Sequence, residues 1–273
     1  MNSNEKITIL KDKYFLNDRK KLDIMKKYGN AAAITDFAIL LGGFVRFDKH
    51  YSSDGNNLED RACYYWTRTS DGESDANMVN DDGAVLFQSV DKRSTAVRPA
   101  LLSSSICNSR NGKRGKSGVL EVEYGEYPQQ AVQKSLNIVL ENEYKWGKLL
   151  TTGKEYTTDS RNPDEYCEGF KASQNIEYEY NGKRYVRVVA RLNNNPTTIS
   201  NGISVDSGDV IWVEIQPIIW LIDEKELIAL AKKGLIGGIR FYKDRGRWNG
   251  DFDDTEMNQF LQTCFKKDMV SNE

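Results

Sequence analysis

His50 is the chain's one histidine, and it limits the chemistry the sequence can perform. Zinc sites draw on clustered His, Cys and carboxylates, and general acid–base catalysis draws on His more than on any other residue. A lone imidazole leaves little material for either, so no cofactor or metal is expected and the chain reads as a non-enzyme. Cys63, Cys107, Cys167 and Cys264 lie far apart and form no C-x-x-C pair. They read as reduced thiols that behave as small apolar residues where buried. Gly153-Lys154 with Thr157-Thr158 has the outline of a phosphate loop but lacks the first glycine of the motif, so it reads as an ordinary loop. Asn80-Asp81-Asp82 offers oxygen atoms of the kind calcium takes, yet Asn-Asp-Asp-Gly is also what a tight turn requires, and the turn is the simpler reading. Glu121, Glu123 and Glu126 read as the solvated face of a strand. Arg110, Lys113, Arg114 and Lys116 form a small basic cluster. Exposed loop charge is its plain reading, and contact with phosphate or nucleic acid the alternative. No aromatic platform accompanies it, so nucleic acid is not the expected partner.

The scaffold behind these residues is ordinary globular protein. The chain has 273 residues, 39% hydrophobic and 29% charged, which is enough to bury a core and too apolar for disorder. Lysine and arginine total 38 against 40 acidic residues, a net charge of −2, so no global field draws nucleic acid or anionic lipid. The N-terminal stretch carries no apolar signal-peptide core, and no apolar run approaches the roughly 18–20 residues a membrane helix needs. A cytoplasmic location with no membrane partner is the expectation.

Periodicity sketches the elements. A helix capped at Asn17 or Asp18 is expected to carry Leu22, Met25 and Tyr28 and to end at Gly29. Ile34 to Phe44 suits a strand or a short helix. Tyr64 to Leu101 reads as short strands broken at Asp71-Gly72, Asn80 to Gly83 and Asp91 to Ser94. Trp66 is expected in the core, with Arg68 or Arg98 tying loops. Leu120, Val122 and Tyr124 alternate as a half-buried strand, and a helix follows Pro128 with Val132, Leu136, Val139, Leu140 and Tyr144 on one face, ending at Gly147. Ile176 to Arg191 reads as a hairpin around Asn181-Gly182, and Asp209 to Ile222 as a β run holding Trp212 and Trp220. Glu224 to Lys233 is rich in helix formers, but bounded apolar segments on either side favour a hairpin turning at Asp223-Glu224. Met257, Phe260, Leu261, Cys264 and Phe265 mark a last helix with a capping box at Asp253 and Glu256 and Cys264 in the core.

Two stretches carry a resemblance. Tyr64-Tyr65-Trp66-Thr67-Arg68-Thr69-Ser70, Asp75-Ala76, Val79 and Ala96-Val97-Arg98-Pro99-Ala100-Leu101 resemble the closing half of a bacterial C-type-lectin-like domain. That group is distantly similar to formylglycine-generating enzymes and to the variable proteins of diversity-generating retroelements. Glu123 to Gln129, the strand through Trp220 and the final helix resemble the opening half. The resemblance implies an α+β, C-type-lectin-like fold of short antiparallel strands and a few flanking helices. Because the closing half comes first, it also implies circular permutation. An N-terminal helical segment would occupy 1–34 and one permuted domain 35–273, with the closing half at 35–103, a joining loop at 104–116 and the opening half at 117–270. The strand of Val97 to Leu101 would then pair antiparallel with that of Val119 to Tyr124. The alternative is a half-domain followed by an incomplete second copy.

The formylglycine generators rely on paired cysteines, and nothing in the sequence brings Cys63 and Cys107 together. The expected function is therefore non-catalytic binding of a protein or other macromolecular ligand. Asp75, Asn77, Asn80, Asp81, Asp82, Phe87, Gln88, Ser89, Asp91, Lys92, Arg93 and Ser94 are the expected recognition residues. They are polar and turn-rich, and in the variable proteins the same region displays the substituted positions. Two other readings stand beside it: an intracellular interaction or counter-defence protein using the basic loop 110–116, and a cysteine-dependent enzyme.

Overall fold

The computed structural model describes residues 6–16, 20–46, 62–102, 104–107, 112–161, 170–243 and 246–269. The expected cap at Asn17 or Asp18, and His50, Arg110 and Cys167, lie outside them. In chain order, β1 (Lys6–Thr8), α1 (Lys13–Leu16), α2 (Asp23–Tyr28) and α3 (Asp36–Leu40) precede a meander of β2 (Tyr65–Ser70), β3 (Asp75–Val79) and β4 (Val85–Ser89). Then come β5 (Ala100–Leu102), α4 (Ser104–Cys107), β6 (Lys113–Arg114), β7 (Leu120–Ala131), α5 (Lys134–Lys145), β8 (Leu150–Asp159), β9 (Ala172–Tyr180) and β10 (Lys183–Val189). A small pair, β11 (Thr197–Thr198) and β12 (Ser204–Val205), leads to β13 (Val210–Asp223) and β14 (Ile228–Ala231). The chain closes with α6 (Glu256–Phe260), a π-helical turn over Leu261–Phe265 and α7 (Lys266–Asp268). The fold is mainly antiparallel β with a few short helices.

The sheet is organised by β13. Its apolar run is buried on both faces, and β7 pairs along one edge from Val213↔Ala131 to Ile222↔Leu120. The opposite edge is shared: β10 takes Val210 to Glu214 and β14 takes Trp220 to Asp223. The sheet therefore forks into two branches, β14-β5-β1 and β10-β9-β8. Pro217 and Pro128 sit where the β7–β13 register shifts, the place in a ladder where a missing N–H is tolerated.

The hairpin at Asn181-Gly182 forms as its residues require, with φ of 52° and 73°. Glu224 to Lys233 resolves as a hairpin, Asp223 accepting the Glu226 N–H at 3.0 Å at the turn. Ile34 to Phe44 resolves as the short helix α3, where Thr35 caps by accepting from the Ala38 N–H at 3.2 Å.

Other expectations are corrected. β5 pairs with β1 and β14, and not with β7; β14 and β13 lie between them in the same sheet. The direct pairing that a permuted lectin-like arrangement calls for is absent, because β14 covers the β5 edge. The stretch 104–116 is more than a joining loop, since it holds α4 and β6, which pairs with β7. The helix after Pro128 starts only at Lys134, because β13 draws Pro128 to Ala131 into its ladder. Of its expected face, Leu140 packs on Trp212 and Tyr185, while Val139 and Tyr144 stay partly exposed. Gly153 to Thr158 lies within β8 and is not a loop; its Thr and Tyr residues suit a strand.

The last helix docks where the sheet divides. Met257, Phe260, Leu261 and Phe265 are buried, and Phe265 stacks edge-on against Tyr127 of β7 at 5.0 Å. Gln262 donates to the Ile7 carbonyl of β1, and Asp268 accepts the Thr157 N–H of β8 at 2.6 Å, so both branches are tied to one helix. Gly125 of β7 lets Met269 approach: a Cβ there would lie 2.7 Å from the Met269 carbonyl oxygen. Thr255, and not Asp253, caps the helix by accepting the Asn258 N–H. Cys264 is half-buried at the core's margin and not inside it, where the wider π-helical turn changes the helix's phase.

Two outcomes follow from this docking. Phe260→Ala removes a side chain only 1% exposed and is expected to cost about 3–5 kcal/mol in urea unfolding. Burial pushes the Asp268 carboxyl above the usual carboxylate range despite its hydrogen bonds to Thr157. A raised folded-state value means the charged form is disfavoured on folding, so stability falls as pH rises through that value. Asp268→Asn is therefore expected to gain melting temperature over the wild type at neutral pH, with the gain vanishing once both proteins are below the ordinary carboxylate range. An equal difference at every pH would show that the charge is irrelevant.

Candidate functional site

The β2–β3–β4 meander holds all the expected recognition residues except those on the turn and loop that follow its strands. Its base is locked from below. Trp66 is buried with its ring 5.2 Å from Phe241. Arg98, also buried, donates through Nε to the Ala231 carbonyl at 2.8 Å and lies over the Tyr65 ring. Arg68 reaches Thr8 at 3.4 Å. These are the tying roles the residue types suggested, and they hold the meander on the β14-β5-β1 branch.

The expected residues separate into three groups. Asp82, Phe87 and Lys92 are exposed, Phe87 at 64%. Asp75, Asn77, Asn80, Gln88, Asp91 and Ser94 are half-buried, and several serve the local backbone. Asn80 and Asp82 both accept the Ala84 N–H, at 2.7 and 2.9 Å, which makes 80–84 a turn. Asn77 donates to Asp12 at 3.0 Å and Asp75 accepts from Ser74, while Gln88 accepts from the Ser89 N–H. Ser94 gives its carbonyl to the Phe44 N–H.

Asp81, Ser89 and Arg93 are buried, so these three of the expected recognition residues are not displayed at the surface. Asp81 is bound by Arg46 at 3.1 Å, and Ser89 donates to Asp91 at 2.6 Å. Arg93 is 2% exposed and donates to Asp159 of β8 at 2.9 Å and to the Gly238 carbonyl at 3.4 Å. Burial pulls its guanidinium below the ordinary arginine value, and the Asp159 carboxylate opposes that pull. Asp159, itself fully buried, also takes Arg161, while Glu256 takes Arg240 at 3.2 Å. Arg191 completes the cluster by donating to the Asp159 carbonyl. No sequence signal links Arg93 to Asp159, which are far apart in the chain. Leu86, 47% exposed, is a surface residue outside the expected set.

Cys63 is buried beside Ala33, and burial pushes its thiol up to about 12, so the nucleophilic thiolate is suppressed. Tyr156 donates to Glu177 at 2.9 Å, and Thr152 donates to the same carboxylate at 2.9 Å. Burial raises the Tyr156 phenol and lowers the neighbouring Lys154 ammonium. Tyr156 and Thr152 spend their hydroxyl protons on Glu177, an arrangement that braces the strands. Among the described residues, no group of three or more His, Cys, Asp and Glu is placed to hold a metal. In the basic loop, Lys113, Arg114 and Lys116 are exposed, and Arg114 pairs with Glu224 at 3.3 Å beside a cleft of about 140 Å³.

Removing one partner of a buried ion pair strands the other charge. Asp159→Ala is accordingly expected to destabilise by about 3–5 kcal/mol in chemical unfolding, because Arg93 loses its carboxylate. A cost below about 1 kcal/mol would show that its arginines find other acceptors. No protein-family model, curated protein or solved structure matches this chain.

Proposed function

We propose that this protein is a non-catalytic, cytoplasmic binding module with a C-type-lectin-like core that recognises a protein or other macromolecule through the β3–β4 hairpin and its turns. The observation that carries this reading is Phe87, a large aromatic left 64% exposed on a strand whose base is anchored by buried Trp66, Arg98 and Arg93. Recognition energy concentrates in a few aromatic or arginine anchors presented on rigid scaffolds. Phe87, on a strand with exposed Asp82 before it and exposed Lys92 after it in sequence, fits that pattern; Arg93 does not, because it is spent on Asp159. The lectin-like resemblance rests on Tyr64 to Ser70 and Ala96 to Leu101, which frame the meander. The suppressed thiol of Cys63 speaks against a cysteine-dependent enzyme. Arg114's pairing with Glu224 makes the basic loop the weaker contact surface.

The test compares capture of partners from the native community by the wild type, by a variant carrying Asp82→Asn, Phe87→Ala and Lys92→Ala, and by one carrying Lys113→Ala and Lys116→Ala. The hairpin variant is expected to keep its stability within about 0.5 kcal/mol, as surface changes do, and to lose the captured partner. Retention by that variant with loss in the other would move the recognition surface to the basic loop.

A further inference from the structure

β4 is an edge strand, and its open side is self-complementary. Its partner β3 pairs in register from Asp75↔Ser89 to Val79↔Val85. Beyond the two ends of that ladder, the Asn80 N–H donates to the Ala84 carbonyl at 2.9 Å and the Val90 N–H to the Ser74 carbonyl at 3.0 Å. Backbone groups in an antiparallel ladder face the partner at alternate residues. Leu86 and Gln88 therefore turn their N–H and C=O toward β3, and Val85, Phe87 and Ser89 turn theirs away. Ser89 is already satisfied, its N–H by the Gln88 side chain and its carbonyl by the Lys92 N–H. No described residue bonds the outward groups of Val85 and Phe87.

The edges of the main sheet are treated differently. On β8, Asp268 takes the Thr157 N–H, and on β1, Gln262 takes the Ile7 carbonyl. Proteins also blunt edges with charges or proline, and Val85-Leu86-Phe87-Gln88-Ser89 contains neither. Instead it shows Leu86 at 47% and Phe87 at 64% exposure.

We propose that β4 pairs antiparallel with β4 of a second copy of this chain, about a two-fold axis at Leu86. In that register Val85 of each copy faces Phe87 of the other, so every open N–H meets an open C=O. Leu86 packs on its own symmetry mate at a non-hydrogen-bonded position, where side chains approach most closely. No like charges meet, because the strand has none. The contact is short, well below the size of a stable interface, so the dimer is a weak one that depends on concentration. The proposal uses the same hairpin as the binding reading but does not depend on it, because self-association is read without any partner.

Sedimentation equilibrium over about a hundredfold range of concentration into the high micromolar tests it. The weight-average mass of the wild type is expected to climb toward twice that of the chain. L86K and L86E are each expected to stay monomeric, because each sets like charges against each other across the axis. An equimolar mixture of the two is expected to recover association as opposite charges meet. Phe87→Pro is expected to weaken pairing while leaving the melt intact, because the N–H it removes points away from β3. A wild type that stays monomeric throughout overturns the proposal, as does L86K associating like the wild type. Failure of the mixture to recover association overturns the register centred on Leu86.

Discussion

The demand that β13 place on its neighbours organises this molecule. A long apolar strand buried on both faces cannot leave its peptide groups unpaired, since each buried N–H or C=O without a partner costs free energy. β7 satisfies one edge nearly throughout, with shifts in register at the two prolines. Among the described residues no single strand covers the other edge; β10 serves its beginning and β14 its end. The fork is the result, and a fork exposes apolar surface. The C-terminal helix covers it with Met257, Phe260, Leu261 and Phe265 and reaches to a strand of either branch through Gln262 and Asp268.

The meander is joined to this frame by buried polar contacts as well as by packing. Arg98 ties it to β14 through a backbone carbonyl, and Arg93 ties its far end to β8 through Asp159. Both anchors lie in the segment that follows β4, and they reach different branches of the fork. A buried ion pair is weak evidence for net stability, but it is demanding about geometry. Here it fixes where the β3–β4 hairpin stands and which of its side chains remain outside. Arg93 is spent on that task, and the outer surface is left to Phe87, Leu86, Asp82 and Lys92.

On the opposite face, α5 makes a smaller core from Leu140, Trp212 and Tyr185. Arg187 binds Glu141 through two bonds of 3.0 Å, and Trp212 donates its indole N–H to the same carboxylate. Shared use of one carboxylate by the helix and two strands is the same device that Asp159 provides on the other side.

Local chemistry was legible in the sequence. Asn181-Gly182, the breaks at 71–72 and 80–83, the β run holding Trp212 and Trp220 and the apolar face of the last helix each need only neighbouring residues to act, through backbone preference or periodicity. The hairpin at Asp223 was legible against helix propensity because its flanking runs are strand-sized. What sequence periodicity could not supply was which strand edges meet: β5 turned to β14 rather than β7, and Pro128 stayed in a strand, because long-range ladders compete for the same peptide groups. The site divided in the same way. The composition of 75–94 marked a turn-rich hairpin, but only the packed molecule separated Phe87, which remains in water, from Arg93, whose charge found a buried carboxylate far along the chain. Turns and periodic faces are decided by neighbouring residues, and strand pairing and burial by the whole chain, because those require surfaces that exist only once it has folded.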